Sequence, residues 1–161
     1  MLSLEILILL ALTVLNGLFA MSEMAIVSSR RARLDAMAEA GDSGAAVASE
    51  LSREPTSFLS SVQIGLTLIS IGTGAFGTAT LSAYLIVPLS AFASLKPHAE
   101  LIAIGIVVVL TTILTLVLGE LVPKRIALAY PEAIAARVAR PLSAIAVAAR
   151  PVVVLLGISS A

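Results

Sequence analysis

Long apolar runs divided by short polar ones make up this chain, and the first run starts at once. From Met1 to Val27 its main polar interruptions are Glu5, Asn16, Ser22 and Glu23. A helix rising about 1.5 Å per residue needs roughly 20 residues to cross about 30 Å of hydrocarbon. The run therefore predicts a span over about 2–27. It has no basic flank and outruns the apolar stretch of a cleaved leader, so it is read as a retained span.

The pattern changes abruptly at "SSRRARLDAMAEAGDSGAAVASELSRE", Ser28 to Glu54. Leu34, Met37 and Ala38, then Val47 and Leu51, recur at helical spacing, and Gly41-Asp42-Ser43-Gly44 reads as a turn. Two short amphipathic helices at the membrane surface are predicted. Pro55 suits the first turn of the next helix, where its missing N–H costs little. The second span, about 56–90, is too long for one straight crossing. It carries Gly65, Gly72, Gly74 and Gly77, and a bend or break is predicted around Gly72–Gly77. Pro88 and Pro97 bracket a loop with Lys96 and His98, and a third span follows over about 101–122. Beyond it Arg137, Arg140 and Arg150 recur as on one helix face. They predict a belt helix over about 131–157 along the headgroups, in preference to a fourth span.

Composition agrees with this reading. The chain is 59% hydrophobic and 12% charged, with mean hydropathy +1.09, against about a quarter charged in soluble domains. The fold class is thus an all-α membrane protein: three transmembrane helices, short cytoplasmic-side helices and a C-terminal juxtamembrane amphipathic helix. Net charge is zero, which gives no reason to expect nucleic acid. The absence of cysteine and the single histidine, His98, exclude thiolate and multi-histidine metal sites. No nucleophile–base pair or phosphate-cradling loop is evident, so no enzyme is expected. Arg30, Arg31, Arg33 and Arg53 lie between spans one and two, and Lys124, Arg125, Arg137, Arg140 and Arg150 follow span three. Only Lys96 lies in the other loop, so the positive-inside rule puts the N-terminus outside and the C-terminus in the cytoplasm.

Polar atoms in hydrocarbon cost several kcal/mol each unless partnered, so the intramembrane ones need an explanation. On span two Ser60, Gln63, Thr67, Ser70 and Gly74 form one stripe on one helix face. Asn16 and Glu23 share a face of span one with Ser22 beside them, and Thr112, Thr115 and Gly119 share a face of span three with Glu120 one step round. Serine and threonine can simply bond back to their own helix. Carboxylates at membrane depth are candidate functional groups, although Glu23, near the cytoplasmic end, could pair with Arg30 or Lys124. In "LGELVPKRIAL" Pro123 has no N–H, so the Gly119 carbonyl loses its helical donor beside the Glu120 carboxylate. Such hard oxygen atoms suit Mg²⁺, Ca²⁺ or Na⁺, and half-broken helices lining a site are a recurring transporter device. Lys124 and Arg125 can reach the headgroups or hold Glu120 ionised. The plainer alternative is that Pro123 ends a span and Glu120 is an interfacial counter-ion.

"NGLFAMSEMAIVSSRRARLDAMAEAG", "SVQIGLTLISIGTGAFG" and "GELVPKRIALAYPEAIA" together resemble the transmembrane domain of the CNNM/CorC family of cation transport proteins, also called hemolysin-like. The resemblance covers nearly the whole chain, and "GELVPKRIAL" is its most specific block. It implies three spans in a bacterial inner (plasma) membrane, a belt helix, homodimers, and cytoplasmic ATP-binding CBS domains beyond this chain. It also implies Mg²⁺ export coupled to Na⁺ entry. The ion would be held by serine on span one, serine and asparagine on span two, and the glutamate of the last block. Glu120 and Ser22 match; Ser70, Thr67 and the Gly119 carbonyl complete the expected oxygen set, with Asn16, Gln63, Glu23, Pro123 and Lys124 around it. Ala20 stands where many members have another serine, and Leu66-Thr67 where many have asparagine. The same blocks are similar to a bacterial branch associated with polyamine export, in which Glu120 would pair with an ammonium. A third reading is a regulatory or scaffolding subunit whose polar stripe only packs helices.

Overall fold

A computed structural model describes residues 2–144. Three helices in it are long and apolar enough to cross a membrane. The first, α1, is Leu2–Ser28. The second, α4, is Pro55–Ser90, with Pro55 in its first turn as predicted. The third runs as α5 (Ala99–Leu116), a π-helical turn (Val117–Leu121) and α6 (Val122–Ala129) without interruption. Between the first two lie α2 (Arg31–Glu39) and α3 (Ser43–Arg53). A last helix, α7, covers 131–144. The remainder of the expected belt helix lies outside the described residues.

The break expected as one possibility in the second span, and the end of the third span at Pro123, need correction. Glycines at 72, 74 and 77 do not break α4, which stays helical over 36 residues, about 54 Å at 1.5 Å per residue. In hydrocarbon a break would strand backbone N–H and C=O groups with no water to satisfy them, so the helix persists through residues that would weaken it in water. Likewise Pro123 does not end the third span. The helix widens into a π turn just before it and continues to Ala129, because a wider turn relieves the clash between the proline ring and the carbonyl four residues back.

The turn between α2 and α3 follows the sequence closely. Gly41 adopts φ +101°, a left-handed conformation that favours glycine. Asp42 then caps α3, its Oδ1 accepting from the N–H groups of Gly44 at 2.9 Å and Ala45 at 3.0 Å.

The main core sits at the basic end of the bundle, not in its middle. Phe19 and Ile26 of α1, Leu34 of α2, Phe58 and Val62 of α4, and Ile134 and Leu142 of α7 bury against one another there. Leu34 is fully buried, and such burial stabilises by about 1.5–3 kcal/mol wherever the alternative is water. Glu132 ties the start of α7 to α2. It accepts from the Arg30 backbone N–H at 3.2 Å and pairs with Arg33 at 3.8 Å. Desolvation pushes its carboxyl up, but the Arg30 amide, its own amide and the charges of Arg33 and Arg30 outweigh this and hold it below the ordinary range.

Inside the bilayer lipid tails are as apolar as leucine, so helices associate by close packing instead. The seam between α1 and the π turn shows how. A Cβ on Gly17 would lie 2.9 Å from Pro123 Cγ and 3.2 Å from the Leu118 carbonyl oxygen. The contact exists only because position 17 has no side chain.

Candidate functional site

Three helices bring polar atoms together at the level of the π turn. Asn16, buried on α1, donates from Nδ2 to the Gly119 carbonyl at 2.9 Å. Its Oδ1 accepts from Ser70 Oγ of α4 at 3.3 Å. The carbonyl deprived of a donor by Pro123 is therefore taken up by a side chain from the first span. The free carbonyl expected from Pro123 is thus met by Asn16, and span two is joined through that side chain.

Next to this relay opens a cleft of about 250 Å³ lined by Ser70, Gly74, Thr111, Thr112, Thr115, Leu116 and Glu120. Its one ionisable group is the Glu120 carboxylate. Thr111 Oγ1 donates back to the Val107 and Val108 carbonyls at 2.7 and 3.2 Å, which leaves its lone pairs as acceptors. The cleft thus offers one carboxylate and several hydroxyl oxygens. Among the described residues no three His, Cys, Asp or Glu side chains gather as a metal cluster, so a cation held here would rely on neutral oxygens for most of its contacts.

Lys124 reaches in from the first turn of α6. Its Nζ lies 2.8 Å from Glu120 Oε1 and 4.0 Å from Glu23 Oε2 of α1. Glu120 is the more open of the two acids, its side chain 45% exposed against 24% for Glu23. Of the pairings expected for Glu23, the structure gives the one with Lys124. The lysine is turned toward the acids and is half-buried, while Arg125 beside it is exposed.

The remaining candidates lie apart from the cleft lining. Ser22 is fully buried, its hydroxyl donating to the Phe19 carbonyl at 2.7 Å. Thr67 is exposed and donates to the Gln63 carbonyl at 2.8 Å. Gln63 is exposed on the same helix. Of the oxygen set expected from the sequence, Ser70 and Glu120 line the cleft, and Gly119 joins through Asn16. Thr111 was missed as a lining residue. It stands four residues before Thr115 and so shares that helix face, and it packs opposite Gly77, where its Cγ2 would lie 3.0 Å from an added Cβ.

Fold and site together define a multi-pass membrane domain with a polar, acid-bearing seam between its spans. The chain belongs to the CNNM family: the Cyclin M transmembrane N-terminal domain matches residues 6–161, and its relatives are the UPF0053 proteins of the CorC, hemolysin-like group. It is 47% identical to the UPF0053 protein sll0260 of Synechocystis over 157 residues, 98% of this chain and 35% of that protein. It is 29% identical to UPF0053 protein YugS of Bacillus subtilis, over 88% of the chain and 33% of that protein. Similarity also extends to a Haemophilus influenzae protein named polyamine export protein, 33% identical over 81% of the chain and 30% of that protein. The chain thus spans about a third of the length of these relatives, and the family is one of membrane cation transport.

Proposed function

We propose that this chain is the membrane domain of a cation exporter, carrying Mg²⁺ outward in exchange for Na⁺ through the Glu120 cleft. One observation carries the reading: a carboxylate in a transmembrane helix lines a cleft together with three threonines of its own span and Ser70 of a neighbouring one. Carboxylates within membrane spans are rare and mark ion pathways, and this one is open enough to meet a cation besides its Lys124 partner. Hydroxyl and carboxylate oxygens are the ligands a hard cation takes. The basic end of the bundle faces the cytoplasm, consistent with charge bias.

A second copy of the chain completes the assembly in this reading. Gln63, Thr67 and Ser70 are exposed along one face of α4, and polar atoms turned to hydrocarbon are destabilising. A homodimer that covers this face removes them from lipid. CBS domains in the full-length protein would add nucleotide control.

Organic polyamines are the second reading, favoured by a specific contact. The group now nearest the Glu120 carboxylate is a primary ammonium, at 2.8 Å, and a relative carries the name polyamine export protein. Efflux from loaded cells, comparing the parent with Glu120→Gln, separates the readings. Mg²⁺ efflux lost in the variant supports the first. Loss of 1,5-diaminopentane efflux with Mg²⁺ unchanged supports the second. If neither cargo moves in the parent, the domain is a scaffold and both fail.

A further inference from the structure

We propose that Lys124 is a resident competitor for the cation site: its ammonium occupies Glu120 between transport events and withdraws to Glu23 when cargo arrives. The inference rests on the reading of Glu120 as the cargo-binding group and adds a residue that sets the site's affinity.

The geometry is that of a side chain between two berths. Lys124 Nζ is hydrogen-bonded to Glu120 Oε1 at 2.8 Å and stands 4.0 Å from Glu23 Oε2. The shorter contact is a charge-assisted hydrogen bond and the longer one a looser ion pair. Glu120 belongs to the third span and Glu23 to the first, so moving the ammonium between them needs only rotations in its flexible four-carbon stem. Two carboxylates and one ammonium sum to one negative charge. The trio therefore still attracts a cation, but only the carboxylate facing the cleft can offer it a ligand. Cargo in the cleft meets Glu120 alone, since Glu23 is not among the lining residues. It must displace the ammonium to gain the carboxylate. Glu23 then keeps the displaced charge paired, which avoids the large penalty of an uncompensated cation at this depth.

A fixed counter-ion and a competitor make opposite predictions. If Lys124 merely keeps Glu120 ionised and placed, removing it weakens cargo binding. If it competes, removing it tightens binding, and Glu23 matters mainly while Lys124 is present.

The test measures uptake of Mg²⁺ and of 1,5-diaminopentane into inside-out membrane vesicles carrying the full-length protein, as a function of cation concentration. Lys124→Met lowers the half-saturating concentration about fivefold to tenfold, the size expected for removing one close opposing charge. Glu23→Gln raises it several-fold, and that effect shrinks sharply in the Lys124→Met background, as coupled residues require. Lys124→Arg, which keeps the charge and can grip Glu120 with two N–H groups, raises it and serves as the deciding variant if Lys124→Met fails to insert. A higher half-saturating concentration in Lys124→Met overturns the proposal, as does an effect of Glu23→Gln that is equal in both backgrounds. With Lys124→Met uninformative, an unchanged or lower value in Lys124→Arg also overturns it. Glu120→Gln is run in parallel. If it leaves both cargoes unaffected, or neither moves in the parent, the site reading itself has failed and this inference falls with it. If Glu120→Gln abolishes transport while the Lys124 variants behave as a fixed counter-ion requires, the competitor alone is refuted.

Discussion

Asn16 Nδ2 on the first span holds the Gly119 carbonyl of the third at 2.9 Å, and that carbonyl is the one Pro123 leaves without a helical donor. A buried acceptor stripped of its partner costs about 1–3 kcal/mol. Asn16→Leu is expected to destabilise the domain by that amount in reversible unfolding from detergent micelles. Ser70→Ala should cost clearly less, since its 3.3 Å contact is to Asn16 Oδ1 and leaves the Gly119 bond in place. Equal losses in the two variants would refute this ranking.

Pro123→Ala restores an N–H opposite the Gly119 carbonyl. The π turn then has a reason to close to α-helical geometry, and Glu120, inside that turn, changes direction relative to the cleft. The expected outcome is unchanged or raised thermal stability together with transport reduced at least roughly tenfold, because small displacements of a positioned group have large kinetic effects. Retained transport would show that the wide turn is incidental to the site.

Two glycines should respond in opposite ways. Gly17→Ala places a Cβ 2.9 Å from a proline ring and 3.2 Å from a backbone oxygen, neither of which yields easily, and overpacking of this kind costs about 1–3 kcal/mol. Gly72→Ala meets no atom within 4 Å and should be neutral or stabilising by less than ~1 kcal/mol, the helix preference of alanine over glycine. Thermal unfolding of the two variants side by side measures the difference.

Acid should loosen the junction of α2 and α7. Glu132 is held below its ordinary pKa in the folded protein, so its contribution is fully present above the unfolded value and lost as pH falls through the folded one. Amide exchange at Arg30 and the following turn, corrected for intrinsic rates, should rise in mildly acidic to acidic buffer. Glu132→Gln should show the weaker protection already at neutral pH and little further change on acidification.

Some of this could be read from the residues directly. The spans follow from unbroken apolar runs, and the α2–α3 turn from Gly41 and Asp42, because each depends on chemistry local to a few positions. Pro123 was a sound signal with an incomplete meaning. It announces a carbonyl without a donor, but the group that takes that carbonyl up, Asn16, lies 103 residues away along the chain. Thr67 and Ser70 share a face of one helix, yet Thr67 bonds to its own backbone while Ser70 reaches Asn16. That choice is made by what stands opposite, which helical periodicity does not record. The Lys124 pairings were legible as alternatives for the same reason: a long side chain near two acids has several reachable partners, and packing selects among them.

The length of α4 has a consequence for the surrounding lipid. At about 54 Å it outreaches the roughly 30 Å hydrocarbon slab, whereas α1 is nine residues shorter (36 against 27). Such hydrophobic mismatch is relieved by tilt or by local thickening of the membrane. Acyl-chain length thereby becomes a physical control on how the second span leans against the first, and with it on the spacing of Ser70 from Asn16.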